Sequence, residues 1–103
     1  MSKDNQYRIT VEHLDDTQQC LQQLQFEFQD REDLFKLVEN LKIGSELPDR
    51  EAARLSVALR LLGPLMIQNR KHPIFVEFMP HFKTFMQNLK TTIKSALITN
   101  QNK

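Results

Sequence analysis

The sequence predicts an α+β protein in which an N-terminal two-stranded antiparallel β-hairpin precedes three α-helices. Apolar and polar residues alternate over residues 7–11 and again over residues 24–28, which is the period of half-buried strands. Beyond residue 33, apolar residues recur every three or four positions, which is the period of amphipathic helices. These two periods, in this order, define the predicted fold class.

The polar residues 15–19 connect the two strands and suit a hairpin link, although they lack the Asn-Gly or Asp-Gly of a tight two-residue turn. Asp30 then offers a side-chain cap for the first helix, with Glu32 and Asp33 in its first turn, where the helix dipole favours acidic residues. Gly44 is expected to end that helix.

The second helix is predicted to begin at Pro48-Asp49 and to be apolar over an unusually wide arc. A core stripe is formed by Ala52, Leu55, Leu59, Leu62 and Met66. Val57 and Leu61 lie nearly opposite this stripe, and helices with such a pattern are covered on two sides. Because Pro64 has no amide proton, a kink or interruption is expected near Gly63-Pro64.

After a break at residues 69–73, the third helix keeps its 3-4 apolar rhythm from Phe75 to Ala96. Pro80 is expected either in the first turn of this helix or at a second kink.

Length and composition favour one domain over residues 1–103, with an ordered core of about residues 6–97 and frayed ends at 1–5 and 99–103. The lone Cys20 excludes an internal disulfide, and the polar residues 1–6 do not resemble a signal peptide. The longest apolar stretch is too short and too interrupted to span a membrane. We therefore expect a soluble, cytoplasmic protein.

No motif predicts catalysis, a cofactor or a metal site. His13, His72 and His81 do not have the spacings that zinc sites favour, even with Asp15 or Glu77 added as a ligand. Cys20 has no base near it in sequence, and the two glycines stand apart from any phosphate-binding loop. An enzyme is therefore not expected.

The distribution of charge favours contact with a partner. Residues 1–49 contain 5 Lys/Arg and 11 Asp/Glu, whereas residues 50–103 contain 9 and 2. Because the hairpin edges are also open, we predict a homodimer formed by those edges or by the second helix, and a non-catalytic regulatory or protein-binding role. The predicted dimer or partner contacts are Val57, Leu61, Met79 and Met86.

The alternative function is nucleic-acid binding by a basic row on the third helix. Lys83, Lys90 and Lys94 fall within one angular sector, and Arg70 and Lys71 precede the same helix. Such a row could follow a phosphate backbone. Lysines also belong on any exposed helix face, so protein binding stays the leading hypothesis.

Several segments resemble an uncharacterised family of short bacterial proteins, classed as a domain of unknown function. They are residues 7–11 (YRITV), 33–35 (DLF), 69–75 (NRKHPIF), 80–82 (PHF) and 85–86 (FM). The resemblance covers about residues 7–90. It implies a bacterial cytoplasmic protein and supplies no activity, catalytic residue or ligand.

Overall fold

The computed structural model describes residues 4–101 and confirms the α+β class, with four helices rather than three. In chain order the elements are β1 (Asn5–Leu14), β2 (Cys20–Asp30), α1 (Leu34–Gly44), α2 (Asp49–Gln68), α3 (Pro73–Val76) and α4 (Met79–Gln101). The chain divides into two compact units, a hairpin unit (Met1–Asp33) and a helical unit (Leu34–Lys103). Of the ends predicted to fray, residues 1–3 and 102–103 lie outside the described residues.

The pairing of the two predicted strands places their apolar residues on one face of the hairpin. Three cross-strand pairs form this hairpin face: Tyr7 with Phe28, Ile9 with Phe26, and Val11 with Leu24. The Tyr7 and Phe28 rings lie 5.5 Å apart between centroids. Directly opposed pairs of this kind are the unit that stabilises an antiparallel sheet.

The other face of the hairpin is polar. Its central pairs are Arg8 with Glu27, joined by an ion pair of 2.7 Å, and Thr10 with Gln25, joined by a hydrogen bond of 3.0 Å. The sheet therefore separates an apolar face from a polar one.

The turn between the strands is organised by one carboxylate. Asp15 Oδ1 accepts hydrogen bonds from the Thr17 amide (2.8 Å), the Thr17 hydroxyl (2.7 Å) and the Gln19 amide (3.0 Å). These bonds favour the ionised form and lower the pKa of Asp15, with the Thr17 hydroxyl as the largest cause. Gln18 has a left-handed backbone with φ of 69°. The link is thus an Asx-type turn, which residue type alone did not specify.

The predicted cap of the first helix is wrong. Asp30 is the last residue of β2 and pairs with Asn5, so its backbone belongs to the sheet. Its carboxylate instead accepts a hydrogen bond from the Glu32 amide at 3.1 Å. Because α1 begins only at Leu34, Glu32 and Asp33 precede the helix rather than forming its first turn.

The core of the helical unit lies where α1 packs against both α2 and α4. Leu41, Ala52 and Ile93, one from each helix, are buried together. The residues packed around them are Leu37, Leu55, Leu89 and Leu97. Gly44, the last residue of α1, lies against Ile93 so closely that a Cβ atom there would be 2.9 Å from the Ile93 Cα.

Helix α2 begins and ends within a residue of the prediction and passes through Pro64 without interruption. The expected bend at this point stays a prediction. The buried stripe differs from the predicted one, because Ser56 and Gly63 are buried where Leu55 and Leu62 were expected and are only partly buried. The Ser56 hydroxyl donates to the Ala52 carbonyl at 2.8 Å, which satisfies its polar group inside the core.

The predicted third helix is divided into α3 and α4. His72 caps α3, its Nδ1 accepting a hydrogen bond from the Ile74 amide at 3.2 Å. Pro80 lies in the first turn of α4, as one of the two alternatives predicted. Proline has no amide to donate to the Val76 carbonyl four residues earlier, and this lost hydrogen bond favours a helix boundary before Pro80, although α2 continues through Pro64.

Candidate functional site

A groove with an apolar floor lies between α2 and α4 and has a volume of about 330 Å³. The side of α2 contributes Leu59, Arg60, Gly63, Pro64 and Ile67, and α4 contributes Met79, Phe82, Lys83, Met86, Gln87 and Lys90. Clefts between helices of this size are common places for a ligand or a partner side chain to bind. We call it the α2–α4 groove.

Gly63 on α2 and Phe82 on α4 meet at the floor of the groove, because Gly63 has no side chain to hold the ring away. A Cβ atom at this position would lie 3.7 Å from the Phe82 ring, so the ring approaches the α2 backbone directly. Ile67, one turn farther along α2, remains 64% exposed. The floor therefore presents apolar surface to solvent.

Every ionisable residue that lines the groove is basic. Arg60 contributes from α2, and Lys83 and Lys90 contribute from α4. Neither lysine forms a salt bridge within the part of the chain that the structure describes. The helical unit as a whole carries 11 Lys/Arg and 5 Asp/Glu, a net charge of +6. The groove thus combines apolar contact area with a cationic rim.

The structure separates the four predicted contact residues into two pairs. Met79 and Met86 line the α2–α4 groove. Val57 and Leu61 lie on α2, are half-buried and do not line it. The prediction that all four contact a partner stays a prediction, but only the two methionines share a concave surface.

The basic residues are likewise divided among three depressions. Lys83 and Lys90 line the groove, whereas Lys94 lines a neighbouring depression between α1 and α4 that Lys90 also borders. Arg70 and Lys71 line a depression at the end of α2. The three lysines of α4 follow one another along the helix as their spacing predicts.

Sequence reasoning did not assign Arg60 and Ile67 to a site. The feature that identifies them is their position on α2. They lie about one turn before and one turn after Gly63, on the side of the helix that faces Phe82. Recognising it requires knowing which side of α2 faces α4, and a single sequence does not contain that information.

The residues that were weighed as catalytic or metal-binding candidates do not form a common site in the part of the chain that the structure describes. Cys20 is exposed at the start of β2, and its Sγ lies 3.5 Å from the Gln22 carbonyl. The Nδ1 atom of His72 is engaged in capping α3. Over the described residues, no three His, Cys, Asp or Glu side chains converge as metal ligands.

Over residues 4–101, no helix has both the length and the apolar content that crossing a membrane requires.

The hairpin face is a second candidate surface, in the hairpin unit. Val11 and Leu24, which face each other across the strands, are 53% and 60% exposed, and Phe26 is 39% exposed. Contiguous exposed apolar surface of this kind marks interaction sites in folded proteins.

Comparison with known proteins gives a consistent result. Residues 5–91 match DUF3861, a domain of unknown function with a solved structure. The structure is similar to the crystal structure of a protein of unknown function from Pectobacterium atrosepticum, with a TM-score of 0.76 and 41% sequence identity over 85% of this chain and 98% of the other. Among curated proteins, none matches.

Proposed function

Since the chain belongs to DUF3861, a family of unknown function, we propose a function from its own surfaces: a non-catalytic protein-binding module that assembles as a homodimer. The observation that carries the proposal is the exposed apolar face of the hairpin. An isolated two-stranded sheet is marginally stable, so its apolar face needs a cover. A second copy supplies one of identical shape across a two-fold axis.

The chemistry of the hairpin face supports pairing with itself. Its three central pairs contain no charged residue, and the Arg8–Glu27 ion pair lies on the opposite face. Two such faces can meet without burying an unpaired charge, which is the main penalty in an apolar interface. The hairpin unit holds 3 Lys/Arg and 8 Asp/Glu, a net charge of −5, so the two hairpin units repel each other when they are brought together in the dimer. Added salt is therefore expected to strengthen the dimer.

Replacing the exposed pair of the hairpin face should weaken the dimer. In Val11→Thr/Leu24→Thr the strands keep a residue with good β-propensity, but each copy loses apolar contact area. We expect the dissociation constant of the dimer to rise by about tenfold or more, which corresponds to roughly 1.4 kcal/mol. Light scattering over a concentration series should give twice the 12.2 kDa chain mass for the wild-type protein and a shift towards one chain for the variant.

The matched control is Glu12→Thr/Gln23→Thr, the adjacent cross-strand pair on the polar face. It makes the same two threonines in the same strands, and we expect it to remain dimeric. A wild-type protein that is monomeric at every concentration would contradict the homodimer, whatever the variants do. Equal weakening by both double variants would contradict the assignment to the hairpin face.

A second candidate function, nucleic-acid binding, is favoured by the three exposed lysines of α4. It predicts that protein purified without nuclease has excess absorbance at 260 nm, which a chain without Trp and with one Tyr would reveal clearly. It also predicts affinity that falls steeply with salt, with Lys94→Glu lowering the slope by about 1. A clean protein spectrum, together with no salt-dependent binding to DNA or RNA, would remove this candidate.

A further inference from the structure

The α2–α4 groove has features that specify the chemistry of a partner, and this inference rests on the proposed role in protein binding. Its floor is built from aliphatic, aromatic and thioether side chains of both helices. Met79 and Met86 are unbranched and flexible, so they can adjust to different apolar side chains. The groove is open to solvent rather than closed around a cavity, which suits a bulky side chain carried by a larger molecule.

The rim of the groove adds a charge requirement. Lys83 and Lys90 are seven residues apart on α4, which is about two helical turns or roughly 10.5 Å along the axis. Carboxylates in the equivalent positions of a partner would meet both ammonium groups, whereas basic residues there would be repelled. The lining itself contains no Asp or Glu to compete for these cations.

We infer that the α2–α4 groove binds an acidic amphipathic segment of a partner protein. One bulky apolar residue of the segment enters the groove between Gly63 and Met86. Its Asp or Glu residues, spaced by about two helical turns, lie against Lys83 and Lys90. Binding of a short helix by an apolar groove is a recurring mode of peptide recognition, with affinity from the apolar anchors and selectivity from the flanking charges.

The test begins with selection of random peptides displayed against the full-length protein. We expect the enriched peptides to combine a large apolar residue with flanking Asp or Glu. An enriched peptide, made with a fluorescent label, should bind the wild-type protein and lose about tenfold or more in affinity with Lys83→Glu/Lys90→Glu. Changing the acidic residues of that peptide to Lys should restore binding to the double variant.

The matched control for charge is Arg70→Glu/Lys71→Glu, which also reverses two exposed cations but outside the groove, and it should change the affinity less than twofold. Amide chemical shifts on peptide addition should change mainly in residues 59–67 and 79–90. Enriched peptides without acidic residues, equal losses in the control, shifts confined to the hairpin unit, or no enrichment at all would each overturn the inference. None of these results depends on the dimer, which is tested by different residues.

Discussion

Leu41→Ala is expected to lower the free energy of unfolding by about 2–5 kcal/mol, the largest effect predicted for this chain. Leu41 is fully buried at the point where α1 meets both α2 and α4, beside Ala52 and Ile93. Truncation leaves a cavity, because the surrounding leucines are attached to three different helices and can collapse only in part. Urea unfolding followed by the helical circular dichroism signal measures the change.

Ile74→Ala is the control for Leu41→Ala, because it removes the same number of carbon atoms from a side chain on α3 that is 68% exposed. We expect its effect to stay within about 0.5 kcal/mol. If the two variants had similar midpoints and slopes, Leu41 would not be in the core of the helical unit. The comparison therefore tests the helical packing on which the α2–α4 groove depends.

The hairpin and helix α2 were predictable from the sequence, because residues close together in the chain determine them. Alternation on both sides of a polar link predicts the hairpin. The observed register keeps the alternating apolar residues on one face, whereas a shift of one residue would place Tyr7 and Phe28 on opposite faces. Helix α2 was equally clear, because Pro48-Asp49 is a strong start signal.

Errors arose where two local preferences compete. Asp30 is a good cap residue, but pairing with Asn5 keeps it in β2 and delays α1 until Leu34. The apolar periodicity of the last segment continues through the break between α3 and α4. Periodicity alone therefore did not show whether Pro80 lies in the first turn of a helix or at a kink. Sequence reasoning named both outcomes and could not choose between them.

The groove was only partly predictable, for a different reason. Met86 was predicted as a partner contact, and Lys83 and Lys90 as part of a basic row, because helical periodicity assigns each of them to a side of α4. Their partners across the groove belong to α2, and the distance between these helices is set by α1, which packs on both. That arrangement depends on contacts distant in sequence, such as Gly44 with Ile93, which carry no local signal.

The two glycines of the chain should respond to alanine to different extents. In Gly44→Ala, the new Cβ atom meets the Ile93 backbone at 2.9 Å, so α1 and α4 must separate. We expect the free energy of unfolding to fall by about 1–3 kcal/mol, the range typical of overpacking. In Gly63→Ala, the new Cβ atom meets the Phe82 ring at an ordinary contact distance of 3.7 Å. Here the free energy of unfolding is expected to stay within about 1 kcal/mol of the wild-type value, because the helix propensity of alanine is opposed by crowding between its Cβ atom and the ring of Pro64, the next residue.

Each glycine variant is thus the control for the other, since both add one methyl group to a buried glycine in a helix. Denaturant midpoints of the two variants and the wild-type protein decide the result. Stabilisation by Gly44→Ala would mean that α1 and α4 are farther apart than described here, and the core around Leu41 would need a different arrangement. Destabilisation by Gly63→Ala as large as that by Gly44→Ala would mean that the Phe82 ring lies closer to α2 than the 3.7 Å contact allows. The α2–α4 groove would then be too shallow to accept a side chain from a partner.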